Sequence, residues 1–276
     1  MARKFVALAL STHPGPAVAV SVIAVVLGIG IGLEPWRLVL LGLAFLANQA
    51  SVGLSNDWID ADRDRAVGRT DKPVATGRIS ATAVRNAAFV TALLAIALTM
   101  PLGWGATVAH AVFIVSAWSY NAGLKGTPIS VLPYIVSFGL LPLVVTLALP
   151  VPALASPWAI LAGALLGVAA HFANVLPDLE DDRATGVRGL AHRAGPRTTG
   201  LVIAAALAGA SCSIVLGLGS AQMYAWIGLA LSVLLAAACA VLVVSGRSTR
   251  LIFRLIIAGA LLDVVLLALS GARILA

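Results

Sequence analysis

The chain has 276 residues, 61% hydrophobic and 11% charged, and a mean hydropathy of +1.03; a soluble domain carries roughly 25% charged residues. This excludes a soluble globular protein and marks an integral membrane protein, whose architecture is counted in spans. The formal charge of +7 does not require nucleic acid, because Lys and Arg accumulate in the cytoplasmic loops of membrane proteins.

The opening MARK and the apolar run behind it resemble a signal peptide. Comparable segments follow all along the chain, so it reads as an uncleaved first span. With about 20 apolar residues needed per helix, charges and turn residues divide the sequence into spans near 17–33, 37–57, 80–100, 104–121, 129–148, 157–177, 198–217, 222–245 and 250–271. The expectation is an all-α membrane protein: nine transmembrane helices in a single bundle, forming one domain over residues 1–276. Abundant Gly, Ala and Ser suit close helix packing in lipid. With the N-terminus cytoplasmic and the C-terminus outside, sixteen of the eighteen Lys and Arg fall at or near the cytoplasmic side, leaving only Arg37 and Arg273 outside. Cys212 and Cys239 lie in apolar stretches at different depths, which argues for packing residues rather than a disulfide.

Nine of the eleven acidic residues crowd into two segments, 57–71 and 178–182. Each follows a span running outside to inside, so both emerge on the cytoplasmic face. They share a pattern, N-x3-D-x3-D-R-A-x-G. It reads Asn56, Asp60, Asp64, Arg65, Ala66, Gly68 in the first segment and Asn174, Asp178, Asp182, Arg183, Ala184, Gly186 in the second. The match implies an internal duplication of about four helices, with a pseudo-twofold axis along the membrane normal.

Steps of four place Asn56, Asp60 and Asp64 on one helical face, and Asn174, Asp178 and Asp182 on another, with Asp62 turned away. Carboxylates gathered at the mouth of a bundle repel one another unless cations sit between them. A solvated charged surface explains one such loop; two with the same spacing are poorly explained that way. The donors are all oxygen, which favours Mg²⁺ over Zn²⁺, and Mg²⁺ usually completes its shell with substrate phosphates. Arg63, Arg65, Arg69, Lys72, Lys125, Arg183 and Arg188 lie nearby to bind phosphate oxygens. The interior is apolar, so an allylic prenyl diphosphate suits both ends of the site. Cation-stabilising aromatic candidates are Trp118, Tyr120 and Tyr134. His110, His171, Asn86 and Asp263 are further polar groups within spans, and His171 lies close to the face of Asn174, as a supporting or acceptor contact.

These features resemble the UbiA superfamily of intramembrane prenyltransferases, whose paired signatures here read NDWIDADRD (56–64) and DLEDD (178–182). The resemblance covers essentially the whole chain. It implies two Mg²⁺ ions, one held by Asn56, Asp60 and Asp64 and the other by Asp178 and Asp182, with Asp57 and Asp181 supporting. GRTDKPVATG (68–77) is similar to the family's basic segment and suggests Arg69 and Lys72 for the diphosphate. Tyr120 and Lys125 are similar to its tyrosine–lysine element, the lysine on diphosphate and the tyrosine near the reacting carbon. The expected activity is transfer of a prenyl group from a prenyl diphosphate to a small aromatic or quinone-precursor acceptor. A membrane terpene cyclase without acceptor is the alternative. A transporter fits less well, since its polar site would lie at the bilayer midplane. Asn48 and Gln49 stand where a basic residue would receive a carboxylated acceptor. The lipid bilayer is the one large partner implied; no nucleic acid or protein partner is.

Overall fold

A computed structural model describes residues 2–176, 186–219, 222–245 and 249–276. Helix α1 (Ala2–Leu10) is followed by α2 (Pro14–Gly30), α3 (Pro35–Ile59), the short α4 (Ala61–Ala66), α5 (Ala81–Thr99), α6 (Trp104–Asn121) and α7 (Leu132–Leu147). Then come α8 (Pro157–Val175), α9 (Leu190–Leu218), α10 (Met223–Val244) and α11 (Thr249–Leu269). Each predicted span is therefore occupied by a helix. By length and composition, α3, α5, α8, α9 and α10 can cross a membrane, and a sixth span results if α1 and α2 count as one, bent by 59°. The nine predicted spans thus reduce to five or six on that measure among the described residues.

Local chemistry sets the helix ends. Pro14, Pro35, Pro133 and Pro157 stand in the first turns of α2, α3, α7 and α8, where a missing N–H costs nothing. Ser80 caps α5, its hydroxyl accepting from the Ala83 N–H. The α1–α2 break falls at Ser11–His13, with His13 left-handed at φ 52°. The sequence reading placed no separate helix there. Within α9, Gly195 at φ 78° beside Pro196 divides the helix into two segments.

The long helices pack mainly on their chain neighbours, α5 lies along α3, and α11 returns to α2 to close the bundle. Small residues allow close crossings: a Cβ at Gly163 or Gly167 of α8 would lie 2.5 Å from the Phe138 carbonyl oxygen or 2.4 Å from that of Tyr134 on α7. The bundle's outer face is apolar, with Leu216, Trp104, Leu93 and Val115 all more than two-thirds exposed, as expected of helices solvated by lipid. At the end opposite the acidic stripe, Arg37 donates to the carbonyls of Ala148 (2.8 Å) and Leu102 (3.3 Å) and pairs with Glu34 at 3.1 Å.

Candidate active site

A cavity of about 450 Å³ opens at the end of the bundle where α3 and α6 finish and α7 begins. Its mouth is lined by Asn56, Asp60, Asp64, Arg69, Lys72 and Lys125, and its deeper wall by Tyr120, Tyr134, Phe138 and Phe113. The acidic stripe crosses a helix break between α3 and α4 without losing its register. The Asp60 N–H donates to the Asn56 carbonyl (2.9 Å) and the Asp64 N–H to that of Asp60 (2.8 Å), so the four-residue repeat continues. Asp60 and Asp64 are each 4% exposed.

Cationic side chains surround these carboxylates. Asp60 pairs with Lys125 Nζ and, through Oδ2, with Arg63 Nη2 at 3.1 Å; Arg63 also reaches Asp64 at 3.8 Å. The Asn56 amide donates to Asp60 (2.9 Å), while its oxygen accepts from Lys72 (3.3 Å). Asn121 fixes this corner by donating to Ser55 Oγ (2.7 Å) and to the Val52 carbonyl (2.9 Å). Arg69 forks onto Asp71, both contacts at 2.9 Å, and this holds the Asp71 carboxyl down to about 2. Asp62 is directed away, as its helical position predicts, pairing at the exposed surface with Arg65.

Asp57 lies outside this cavity. It is 1% exposed and pairs with Lys72 (2.6 Å) and His13 Nε2 (2.8 Å), lining a smaller adjoining hollow. Lys72, expected on diphosphate, thus also anchors Asp57. His13 was absent from the sequence reading, although it also lines the main cavity. The available signal was a polar residue directly before the proline that opens the first apolar run. Gln49, named from sequence on the acceptor side, lines the cavity; Asn121, Phe113, Phe138 and His192 are further lining residues not singled out for the site from sequence.

Asn174 reaches the same cavity from α8, as Asn56 does from α3. Asp178, Asp181 and Asp182 fall outside the described residues. Arg188 is exposed and does not line the cavity. His171 is buried behind the wall, its Nε2 3.2 Å from Ser130 Oγ and its ring packed against Tyr120 and Tyr134. Trp118 turns away and donates to Ser51 Oγ (2.9 Å). His110 is enclosed between Asn48 and Thr99, and Asp263 bonds to Ser211 between α9 and α11. Gly189 brings the chain entering α9 against the α6–α7 connection: a Cβ there would lie 2.3 Å from the Lys125 carbonyl oxygen, and the Leu190 N–H donates to Ser130 Oγ at 3.0 Å.

The oxygen donors of Asn56, Asp60 and Asp64 suit a hard cation. Burial raises the Asp64 carboxyl above its ordinary range; Lys72 opposes that shift, neighbouring Asp60 adds to it, and Arg63 and Arg69 pull it down. A divalent cation between the two carboxylates would offset both burial and repulsion. No group of three or more His, Cys, Asp or Glu side chains suited to a metal occurs among the described residues.

Helices thus enclose an acidic, cation-laced mouth above an aromatic cavity, the concave, mostly apolar form with a few convergent polar groups that small-molecule sites take. Residues 17–271 match the UbiA prenyltransferase family, and the chain belongs to that family of membrane transferases. The digeranylgeranylglyceryl phosphate synthase of Korarchaeum cryptofilum (strain OPF8) is 30% identical over 152 residues, which cover 54% of this chain and 53% of the synthase. The match thus spans about half the length of that relative. A UbiA homologue from Archaeoglobus fulgidus bound to GPP and Mg²⁺ has a TM-score of 0.72 at 16% identity, over 96% of this chain and 99% of the other. A structure from work on digeranylgeranylglyceryl phosphate synthase in membranes gives 0.72 at 13% identity, over 98% and 99%. At such identities the likeness establishes the fold.

Proposed function

We propose that this prenyltransferase is Mg²⁺-dependent and moves a prenyl group from an allylic prenyl diphosphate to an aromatic or quinone-precursor acceptor. The observation that carries the reading is one cavity with an acidic, cation-rich mouth and an apolar, aromatic interior. Asn56, Asp60 and Asp64 would hold one ion, and Asp178 and Asp182, with Asp181 supporting, a second. Mg²⁺ so bound supplies Lewis-acid withdrawal of charge from the diphosphate.

Lys125, Arg69 and Lys72, which line the mouth, neutralise the leaving diphosphate. Lys125 and Lys72, now bonded to Asp60, Asp57 and Asn56, exchange those partners for phosphate oxygens. The allylic C–O bond breaks with both electrons leaving on diphosphate. An electron pair of the acceptor then closes on the allylic carbon, and the acceptor sheds a proton. Tyr120 and Tyr134, with ring centroids 5.1 Å apart, present aromatic surface to the developing cation. Asn174 and His171 support the wall from α8. The cavity's cationic side chains lie at its mouth, so a carboxylate deep in the acceptor would lack a partner; this favours an acceptor without one.

The same reading places nine spans in the membrane, the N-terminus and the mouth on the cytoplasmic side and the C-terminus outside, in one domain over residues 1–276. It is supported by the charge asymmetry and by Asn56 and Asn174 entering one cavity from the ends of α3 and α8. The test is purified protein given Mg²⁺ and allylic diphosphates, with and without candidate acceptors. A prenylated acceptor with diphosphate release is expected. Release of a cyclic hydrocarbon or alcohol without acceptor overturns the transferase reading in favour of a cyclase.

A further inference from the structure

The buried set Asn48–His110–Thr99 takes no part in the chemistry above, yet it stands directly beneath the cavity. His110 is fully buried; its Nε2 lies 2.8 Å from Asn48 Nδ2 on α3 and its Nδ1 2.7 Å from Thr99 Oγ1 at the end of α5. Thr99 in turn donates to the Ala95 carbonyl at 2.7 Å. The imidazole is therefore fastened to three helices. Phe45 stacks on it at 4.6 Å, and Phe113 meets both rings edge-on, at 5.7 Å from Phe45 and 6.1 Å from His110.

Phe113 also lines the cavity, and on α6 it is the deepest residue to do so. On α3 the lining stops at Gln49, on α2 at Val20 and on α7 at Phe138. Below them the core is closed, with Leu27, Leu41, Phe45, Leu141 and Val144 at most 3% exposed. From Asn121 at the mouth to Phe113 is about 12 Å along the helix at 1.5 Å per residue. One isoprene unit adds four chain bonds, or about 5 Å of length, so the depth takes about two units.

We propose that Phe113, braced by Phe45 and the Asn48–His110–Thr99 set, is the floor of the prenyl cavity and restricts the donor to a short chain. The specificity comes from rigidity. Phe113 can yield to a longer tail only if the Phe45–His110 stack moves, and that would strip His110 and Asn48 of partners that the surrounding apolar side chains cannot replace. This inference rests on the prenyl-diphosphate reading given above.

The test measures kcat/KM for allylic diphosphates of about five, ten, fifteen and twenty carbons, with diphosphate release as readout. The native enzyme is expected to favour ten carbons over twenty by ~10-fold or more, the scale on which a closed pocket discriminates chain size. Phe113→Ala, or Phe113→Leu should the alanine variant fail to fold, should raise the twenty-to-ten ratio by ~10-fold. Ala117→Phe, one turn nearer the mouth, should shift preference towards five carbons. Equal turnover of ten and twenty carbons by the native enzyme, or an unchanged ratio in Phe113→Leu, overturns the floor while leaving the transferase intact. Diphosphate release from no donor of any length overturns the enzymatic reading and this inference together.

Discussion

Asn48 and Asn56 sit on the same helix, about two turns apart, and they illustrate two ways of withdrawing polar groups from water. Asn48 meets the His110 ring, and that ring meets a hydroxyl which donates a hydrogen bond to a backbone carbonyl. The set completes most of its bonds internally. Asn56 instead joins Asp60 to Lys72, among charges whose partners are long side chains rooted in loops. Polar groups facing a neighbouring helix are locked, whereas those facing the cavity are held by cations that can change partner. The first arrangement gives rigidity; the second gives a binding site kept in readiness.

The comparison breaks most readily at Asp60. Asp60→Ala should lower turnover by ~10²–10³-fold, the usual scale for removing an electrostatic group aimed at the reacting centre, with the helical circular-dichroism spectrum unchanged. Near-normal activity would remove Asp60 from the site. Chelation of divalent cations should stop turnover to a similar extent, with recovery on adding Mg²⁺. Lys125→Met should act chiefly on donor affinity, raising its KM by ~10–100-fold, the equivalent of a charge-assisted hydrogen bond of about 1.5–3 kcal/mol. An unchanged KM would mean that Lys125 never leaves Asp60.

The locked set should respond in stability. His110→Ala strands Asn48 and Thr99 and leaves a void, costing about 1–3 kcal/mol for the unmet polar groups alone. Thermal unfolding of the detergent-solubilised protein should move down accordingly, with Lys125→Met shifting it less. Should the order reverse, the distinction between locked and exchangeable groups fails. Asp62→Ala, at an exposed surface pair, should change turnover by less than about twofold.

Much of this was legible in the sequence. The positions of the helices could be read because charges and prolines punctuate a hydrophobic chain at helical intervals, although five or six of them, rather than nine, are long and apolar enough to cross a membrane among the described residues. The side of the stripe could be read because a four-residue step is nearly one helical turn, and that step survives the break at Asp60. What escaped depended on contacts between distant segments. Nothing in the spacing pairs Asp57 with Lys72 and His13. His110 and Trp118 are in-span polar or aromatic residues like Tyr120, and only packing decides which of them turns towards the cavity. The bend at Ser11–His13 went unread because a left-handed His is unusual and Pro14 is as well suited to opening a helix as to ending one.

The contact of Gly189 with the Lys125 carbonyl also bears on the order in which the chain folds. Residues 12–72 bring the first carboxylates and residues 113–138 the aromatic wall, but the mouth is completed by Val187 and His192, far along the chain. Val187 and His192 are synthesised after both of those stretches, so they reach the mouth last. The first half of the bundle can therefore assemble with Asp60 paired first with the adjacent Arg63 and then with Lys125, before Val187 and His192 are made. Substituting Gly189 would obstruct the final docking step. Its effect belongs to maturation as much as to catalysis.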